Sequence, residues 1–341
     1  MKSIHIVADT LPEAYEKAMA EVWNNGSSFR TQYDRKDKDG KFIDPLSKDC
    51  TALMYIEDPF KEPRVHRSIP MSIEDVERYR CEVVLGAHNY YMDDLSNPNR
   101  WEYTYHSRMR NYTIPCPKCC TPWGLLGQKC DACNGTGKKE IDQIEKCIEM
   151  LKETGYTRRA KIDIWDVEQD LDITNEHPPC LQYITLRIED TVCNDCNGEG
   201  RTFLQNDYYE DCKKCDGKGI IPKLNMIVHI RSNDLFKAWP SNVHAFTELQ
   251  LYIAQRLYIK TGSYTHIADS LHLYGSYFKE IEGFFKTMEA RSFEDRTYTT
   301  EFCLPFFVEG CTQLLSEEKM PQEVKTLILE RKIYLENCGK N

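Results

Sequence analysis

The chain has 341 residues, 41% of them hydrophobic, enough for one large domain or two ordinary ones with a substantial core. Its 54 acidic residues against 44 Lys and Arg leave a net charge of −10, which argues against a nucleic-acid binder but leaves room for a small anion held by local arginines. The N-terminal run MKSIHIVADTLPEAYEKAMAEVW lacks the cationic start and apolar stretch of a secretory signal, and no segment approaches the roughly 18 apolar residues of a membrane span, so no membrane partner and a cytoplasmic location are expected.

Residues 11–24 (LPEAYEKAMAEVWN) predict an amphipathic helix, with Ala14, Ala18 and Val22 at helical spacing. The polar, Lys- and Asp-rich residues 26–48 predict a long loop, and TALMYI (51–56) a strand. SIEDVERYRCEVVLG (72–86) predicts a helix capped by Ser72, with Glu74 and Asp75 in its first turn. After a Cys/Gly segment (116–138), KEIDQIEKCIEMLKETG (139–155) predicts a helix ended by Gly155. AKIDIWDV and LQYITLRIE read as strands. A second Cys/Gly segment (193–219) follows, and then the strand LNMIVHIR. AFTELQLYIAQRLYIKTG (245–262) predicts a long helix with Leu249, Ile253 and Leu257 four apart, and a late helix is predicted over 321–336. Both Cys/Gly segments are polar and bounded by regular elements, as insertions are. Without them an α+β pattern remains, its strands and helices not strictly alternating.

Eight of the sixteen cysteines form four CxxC pairs: Cys116/Cys119, Cys130/Cys133, Cys193/Cys196 and Cys212/Cys215. In a cytoplasmic chain this favours metal over disulfides. Each pair lets one tight turn present two thiolates, and two turns complete a tetrahedral four-thiolate site, which suits a structural zinc ion. Glycines follow in CNGTG, CNGEG and CDGKG, where positive backbone angles aim amides at sulfur. Pairing within each insertion gives two local ribbons (116–138 and 193–219) and two ions. The CxxCxGxG spelling also resembles the cysteine-rich domain of J-domain co-chaperones, which pairs the first motif with the fourth and the second with the third. The first motif here, CPKCCTPWG, departs from that spelling and favours local pairing. Cys120 is a spare thiol beside the first site, and the remaining cysteines are expected to be buried.

Cys180 stands apart, in NEHPPCLQYI. With the upstream segments YRCEVVLG and WEYTYHSRMRNY and the downstream IRSNDLFKAWPSN and GSYTHIADSLHLY, the chain resembles the thymidylate synthase and pyrimidine hydroxymethylase family, above all its archaeal-type branch. The resemblance runs from about residue 40 to 280 and is interrupted by the two insertions. It implies one α+β catalytic domain over 1–341, with a mixed sheet and a long central helix, dimerising through the sheet.

The implied chemistry is transfer of a one-carbon unit from 5,10-methylenetetrahydrofolate to C5 of dUMP. Cys180 matches the nucleophile that adds to C6 of the ring, and a neighbouring cation is expected to lower its pKa. Arg231 matches the arginine that contacts both phosphate and the catalytic sulfur, and Ser232 a phosphate ligand. Arg158 and Arg159 match a pair that reaches the partner subunit's phosphate, which implies an obligate homodimer. Asn242 matches the reader of the pyrimidine O4/N3 edge, where Asn favours uracil. His272 and Tyr274 match the holders of the 3′-hydroxyl, and Asp234 a folate contact. Glu82 matches the glutamate organising the proton-transfer water, and Tyr105 the tyrosine that helps remove the C5 proton.

This sequence also departs from the family. Leu181 stands where bacterial synthases carry histidine, and His106 where glycine follows the tyrosine. The tail LENCGKN lacks the apolar end that closes over folate. The N-terminal phosphate-binding arginine has no clear counterpart, leaving Arg64 or Arg67 as substitutes. Either a methyl or a hydroxymethyl product is compatible with these residues. The non-enzyme alternative is an inactive family member that docks a partner through its ribbons.

Overall fold

The computed structural model describes residues 2–93, 100–119, 130–203 and 208–338. In chain order its elements are β1 (Lys2–Ala8), α1 (Leu11–Asn25), β2 (Ser27–Phe29), β3 (Ser47–Ile56), β4 (Val65–His66), α2 (Ile73–Leu85), α3 (Tyr105–Arg110), β5 (Tyr112–Pro115), β6 (Lys138–Ile141), α4 (Gln143–Glu153), β7 (Lys161–Asp163) and α5 (Val167–Asp170). There follow β8 (Leu181–Val192), β9 (Arg201–Phe203), β10 (Tyr209–Asp211), β11 (Ile220–Ile230), β12 (Asn233–Asp234), α6 (Ala238–Leu257), β13 (Lys260–Leu273), α7 (Phe278–Ala290), β14 (Thr297–Tyr298), α8 (Thr300–Leu315) and α9 (Gln322–Cys338). No helix among the described residues is long and apolar enough to cross a membrane.

Local signals explain most boundaries. The Ser72 hydroxyl accepts from the Asp75 amide at 3.1 Å, and Gly86 closes α2 in the left-handed region. Residues 139–155 do not form one helix. Lys138–Ile141 pairs with β5, and Asp142 then caps α4 by accepting from the Glu145 amide at 2.9 Å. The pattern at 245–262 also divides. The helix begins earlier, at Ala238, with Pro240 tolerated in its first turn. It ends at Leu257, and Tyr258 turns the chain in the left-handed region before β13 starts at Lys260. The run 26–48 is mostly loop but holds β2 and the start of β3. AKIDIWDV narrows to β7, and β1 and β13 are strands beyond those the periodicity predicts.

The main sheet runs β1-β3-β13-β11-β8-β7, with β2 on β3 and β12 on β13. Pairings β1/β3 and β11/β13 are parallel; β3/β13, β11/β8 and β8/β7 are antiparallel. Alternate residues of one face, including Ala52, Met54, Ile184, Leu186, Met226, Val228 and Ala268, are buried against a core that includes α1 and α6. Tyr15 of α1 stacks on Trp239 of α6, centroids 5.6 Å apart, and so joins the two helices over the sheet. The opposite face carries Val7 and Leu53, both exposed, and the half-buried Tyr183, Ile227 and Ile267.

A second apolar cluster joins α2, α8 and α9 through Val76, Phe307, Leu314, Ile328 and Leu335. Buried charges link the two cores. Arg331 of α9 donates to Glu77 Oε1 at 2.7 Å and to Glu248 Oε1 at 2.6 Å, while Arg80 donates to Glu77 Oε2 at 3.1 Å. Removing the shared cation leaves two buried carboxylates underpaired. Arg331→Ala is expected to lower unfolding free energy by about 3–5 kcal/mol in denaturant titration, against a much smaller loss for Lys332→Ala on the same helix.

The CxxC pairs associate locally, within each insertion. Cys116, Cys119, Cys130 and Cys133 form one quartet; Cys193, Cys196, Cys212 and Cys215 form the other. Sulfur–sulfur distances are 3.5 and 3.8 Å in the first and 3.7 and 3.9 Å in the second. A tetrahedral ion with Zn–S bonds of about 2.3 Å needs sulfurs about 3.8 Å apart, so both quartets fit zinc. Amides of Gly200 and Gly219 point at the sulfurs of Cys196 and Cys215 at 3.3 and 3.2 Å. Both glycines have φ near +73°, and a Cβ on either would meet a backbone oxygen at 2.2 Å. Of the other cysteines, Cys50, Cys81, Cys147, Cys303 and Cys311 are buried as expected, but Cys338 is exposed because α9 turns that position to solvent. Cys120 lies outside the described residues. Metal analysis is expected to find two zinc per chain, and Cys212→Ser one, since neither quartet borrows a ligand from the other.

Candidate active site

Sheet direction brings the predicted residues together. β8 runs antiparallel to β11, so it starts where β11 ends, and β13 ends at the same level. Cys180 immediately precedes β8, and Arg231 immediately follows β11. The Arg231 amide donates to the Cys180 carbonyl at 2.9 Å. The Arg231 guanidinium donates to the carbonyls of Pro179 (3.0 Å) and Pro178 (2.7 Å). Ser232 follows half-buried in the turn to β12, and β12 pairs Asp234 with His272 of β13.

The Cys180 thiol is not lowered, contrary to the sequence-based expectation. Burial pushes it above its ordinary value, and Arg231 offsets only part of that. Two of the cation's five N–H donors go to the proline carbonyls.

Aromatic residues close the site. Tyr105 opens α3, where Thr104 and Ser107 form a reciprocal cap, and its hydroxyl accepts from the Leu181 amide at 3.3 Å. The Tyr79 hydroxyl donates to Asn242 Oδ1 at 3.0 Å. Burial raises the phenols of Tyr79, Tyr103, Tyr105 and Tyr274, and each also feels the charge of Cys180. Beside them opens a cavity of about 730 Å³, whose walls include Tyr79, Glu82, Trp101, Tyr103, Tyr105 and His177. Glu82 Oε2 lies 2.6 Å from His88 Nδ1.

On the other side His272 is buried, and its ring is pushed down to about 4 by that burial. Nδ1 meets the Ser270 hydroxyl at 3.1 Å, while Nε2 is buried without a partner, as a ring awaiting a ligand hydroxyl would be. Its edge meets Tyr274 at 4.6 Å. Asp234 accepts from the amides of Phe236 (2.9 Å) and Lys237 (3.1 Å), yet burial still raises its carboxyl to about 6.

The arginines divide sharply. Arg158 and Arg159 are exposed between α4 and β7, away from any ion pair among the described residues. Arg64 and Arg67, the sequence-based substitutes for a phosphate ligand, are committed elsewhere. Arg64 is buried and donates to Pro59 O and Thr247 Oγ1; Arg67 donates to Thr297 O. Another loop approaches the site: Tyr33 packs edge-on to Tyr274 at 5.9 Å, and the same loop carries Arg30 and Arg35.

A family model described as thymidylate synthase matches residues 88–294, and with them the stretch holding Cys180, Arg231, Asp234, Asn242, His272 and Tyr274. The chain belongs to the thymidylate synthase family. A curated "Putative thymidylate synthase" of Methanosarcina mazei is 22% identical over 281 residues, covering 82% of this chain and 94% of its own. The protein of the same description from Methanocaldococcus jannaschii is 22% identical over 268 residues, covering 78% and 88%. Among solved structures, thermostable thymidylate synthase A from Bacillus subtilis superposes with a TM-score of 0.50 at 18% identity, covering 81% of this chain and 84% of that one, and so shares the fold.

Where this family member departs from the bacterial pattern, local packing accounts for it. Leu181 is fully buried and His106 fills the space over Gly86, its Nδ1 2.8 Å from the Asn89 amide nitrogen. Burial lowers His106 to about 4, so its ring is neutral. Sequence reasoning missed Tyr79, Tyr103 and His88. The signal for Tyr79 was present, since it precedes Glu82 by three residues and so shares its helix face.

The Asp234 carboxyl makes a pH-dependent prediction. Its folded value of about 6 exceeds the ordinary 3.8, so the folded state binds the proton more tightly and stability is lost as pH rises between the two. Asp234→Asn removes that cost. The variant is expected to be more stable than the parent by about 2–3 kcal/mol at pH 8, with the gain vanishing near pH 3.5, in paired denaturant titrations.

Proposed function

We propose that the chain transfers a one-carbon unit from 5,10-methylenetetrahydrofolate to C5 of dUMP and forms dTMP. The observation that carries the reading is the hydrogen bond joining Arg231 to Cys180 at paired strand ends, with Tyr105 and Tyr79 linking Leu181 and Asn242 to the wall of a cavity of nucleotide size. In this reading Cys180 Sγ bonds to C6 of the uracil ring, and C5 becomes the carbon nucleophile. Asn242, its Oδ1 held by Tyr79, presents its amide to the O4/N3 edge. The orphaned Nε2 of His272, with Tyr274, takes the 3′-hydroxyl. Glu82 and Tyr105 serve proton removal from C5, and S–C6 cleavage then releases the product. The folate supplies the carbon and, for a methyl product, the hydride. Asp234 and the aromatic wall of Trp101 and Tyr103 suit its flat heterocycle.

Phosphate binding is assigned to Arg231 and Ser232, joined by Arg158 and Arg159 of a second copy. The exposure of those two arginines, and of Val7 and Leu53 on the open face of the sheet, supports a homodimer packed through that face. Arg30 and Arg35, on the loop that touches Tyr274, are paired with Asp34 and Asp44.

Hydroxymethylation is the second reading. It is favoured by α9, which is tied by Arg331 to α2 and α6 instead of lying over the cavity and so leaves water access to the reacting carbon.

Incubation with dUMP and methylenetetrahydrofolate distinguishes the two. A rise in dihydrofolate absorbance accompanies methyl transfer; a product heavier by a hydroxymethyl group without that rise accompanies hydration. Cys180→Ser is expected to lose turnover by a factor of about 10⁴ or more. Preference for dCMP would overturn the assignment of Asn242.

A further inference from the structure

His88 lies between two carboxylates. Its Nδ1 is 2.6 Å from Glu82 Oε2. Its Nε2 is buried, has no hydrogen-bond partner among the described residues and faces Glu317 Oε1 at 3.6 Å. The ring lies flat on Tyr91, with centroids 4.9 Å apart and planes 4° from parallel, and meets Trp101 edge-on at 5.8 Å. The imidazole is 8% exposed, so it has little freedom to swing away. Glu317 follows α8 and is held in turn by the Tyr90 hydroxyl and, at 3.7 Å, by Arg78. Helices α8 and α9 lie beyond residue 294, where the family model ends.

We propose that His88 and Glu317 are positioning residues for Glu82, which makes the C-terminal helical pair part of the catalytic machinery. The inference rests on the reading of Glu82 as the proton-organising carboxylate. Tying Oε2 to His88 leaves Oε1 of Glu82 to face the cavity, where the reaction needs an acceptor. A neutral imidazole offers one N–H, whereas a protonated one donates from both nitrogens. With a carboxylate at each nitrogen, the ring is held from both sides and fixes the Glu82 carboxylate in one orientation. The groups that face this relay among the described residues are Glu82 from α2, Tyr90 and Tyr91 from the turn after it, Trp101, Glu317 from the end of α8 and Arg78 behind Glu317.

The test uses the full zinc-loaded chain and three variants: His88→Ala, His88→Asn, which keeps an N–H near the Nδ1 position, and Glu317→Gln. Covalent capture of Cys180 by 5-fluoro-dUMP with methylenetetrahydrofolate reads binding and thiol addition without loss of a C5 proton. Turnover of dUMP across pH reads the step that Glu82 serves. His88→Ala and Glu317→Gln are expected to label normally and keep KM within about twofold, while kcat falls about tenfold or more. His88→Asn is expected to recover part of kcat.

Normal kcat in both His88→Ala and Glu317→Gln would overturn the proposal. So would loss of labelling in stably folded variants, which would mean that the pair supports the whole pocket. If the parent itself fails to label, the underlying reading of the site fails, and that outcome is separate from either result for the variants.

Discussion

The backbone hydrogen bond from Arg231 to Cys180 is the contact around which the site is organised. It closes the end of the β8/β11 pair, so the sulfur and the guanidinium are attached to adjacent, rigidly paired strand ends. Neither residue depends on a long flexible loop to find the other. The same geometry explains why the thiol is not activated at rest. The arginine braces the Pro178–Pro179 turn through both of its short hydrogen bonds, and burial then dominates the sulfur. The turn is thereby held in shape before any nucleotide arrives, which is preorganisation of position and not of charge.

Around that end the molecule uses two cores for different purposes. The sheet with α1 and α6 supplies the frame that fixes strand ends, while α2, α8 and α9 supply the wall that carries Tyr79 and Glu82. A buried arginine shared by two glutamates couples them. Apolar packing alone tolerates sliding by a fraction of a turn. A cation with directional donors fixes one register, and Glu82, five residues beyond Glu77 on the same helix, inherits it.

Much of this was legible in the residues themselves. Ser72, Gly86 and the charged first turn mark α2 because caps act locally, and CxxC spacing reports its own pairing because each ribbon closes on itself. Cys180, Arg231, Asn242 and His272 were singled out by the spelling of their segments, and the fold joins Arg231 to Cys180 by a backbone hydrogen bond. The failures share a cause, which is that burial is a property of the assembled chain. A cationic letter does not reveal that Arg64 points inward to Thr247, and proximity of Arg231 to Cys180 does not reveal where its donors go. The run from Ala245 to Gly262 keeps a helical rhythm through Leu257, so the start of β13 is set by pairing with β11 more than by any local signal. Tyr103 and His88 belong to no recognisable spelling, and their burial is set by the assembled fold.

The ribbons enter and leave the domain at one place. The Cys116 amide donates to Gly137 O at 2.8 Å, and the Cys193 amide to Gly219 O at 2.9 Å, so each insertion begins and finishes on neighbouring strands. A segment joined this way imposes no spacing on its host, since a short reverse turn spans the same gap. Each ribbon is in effect a detachable cassette. The chain was free to acquire, exchange or discard such units without disturbing the strand ends where the reactive groups meet.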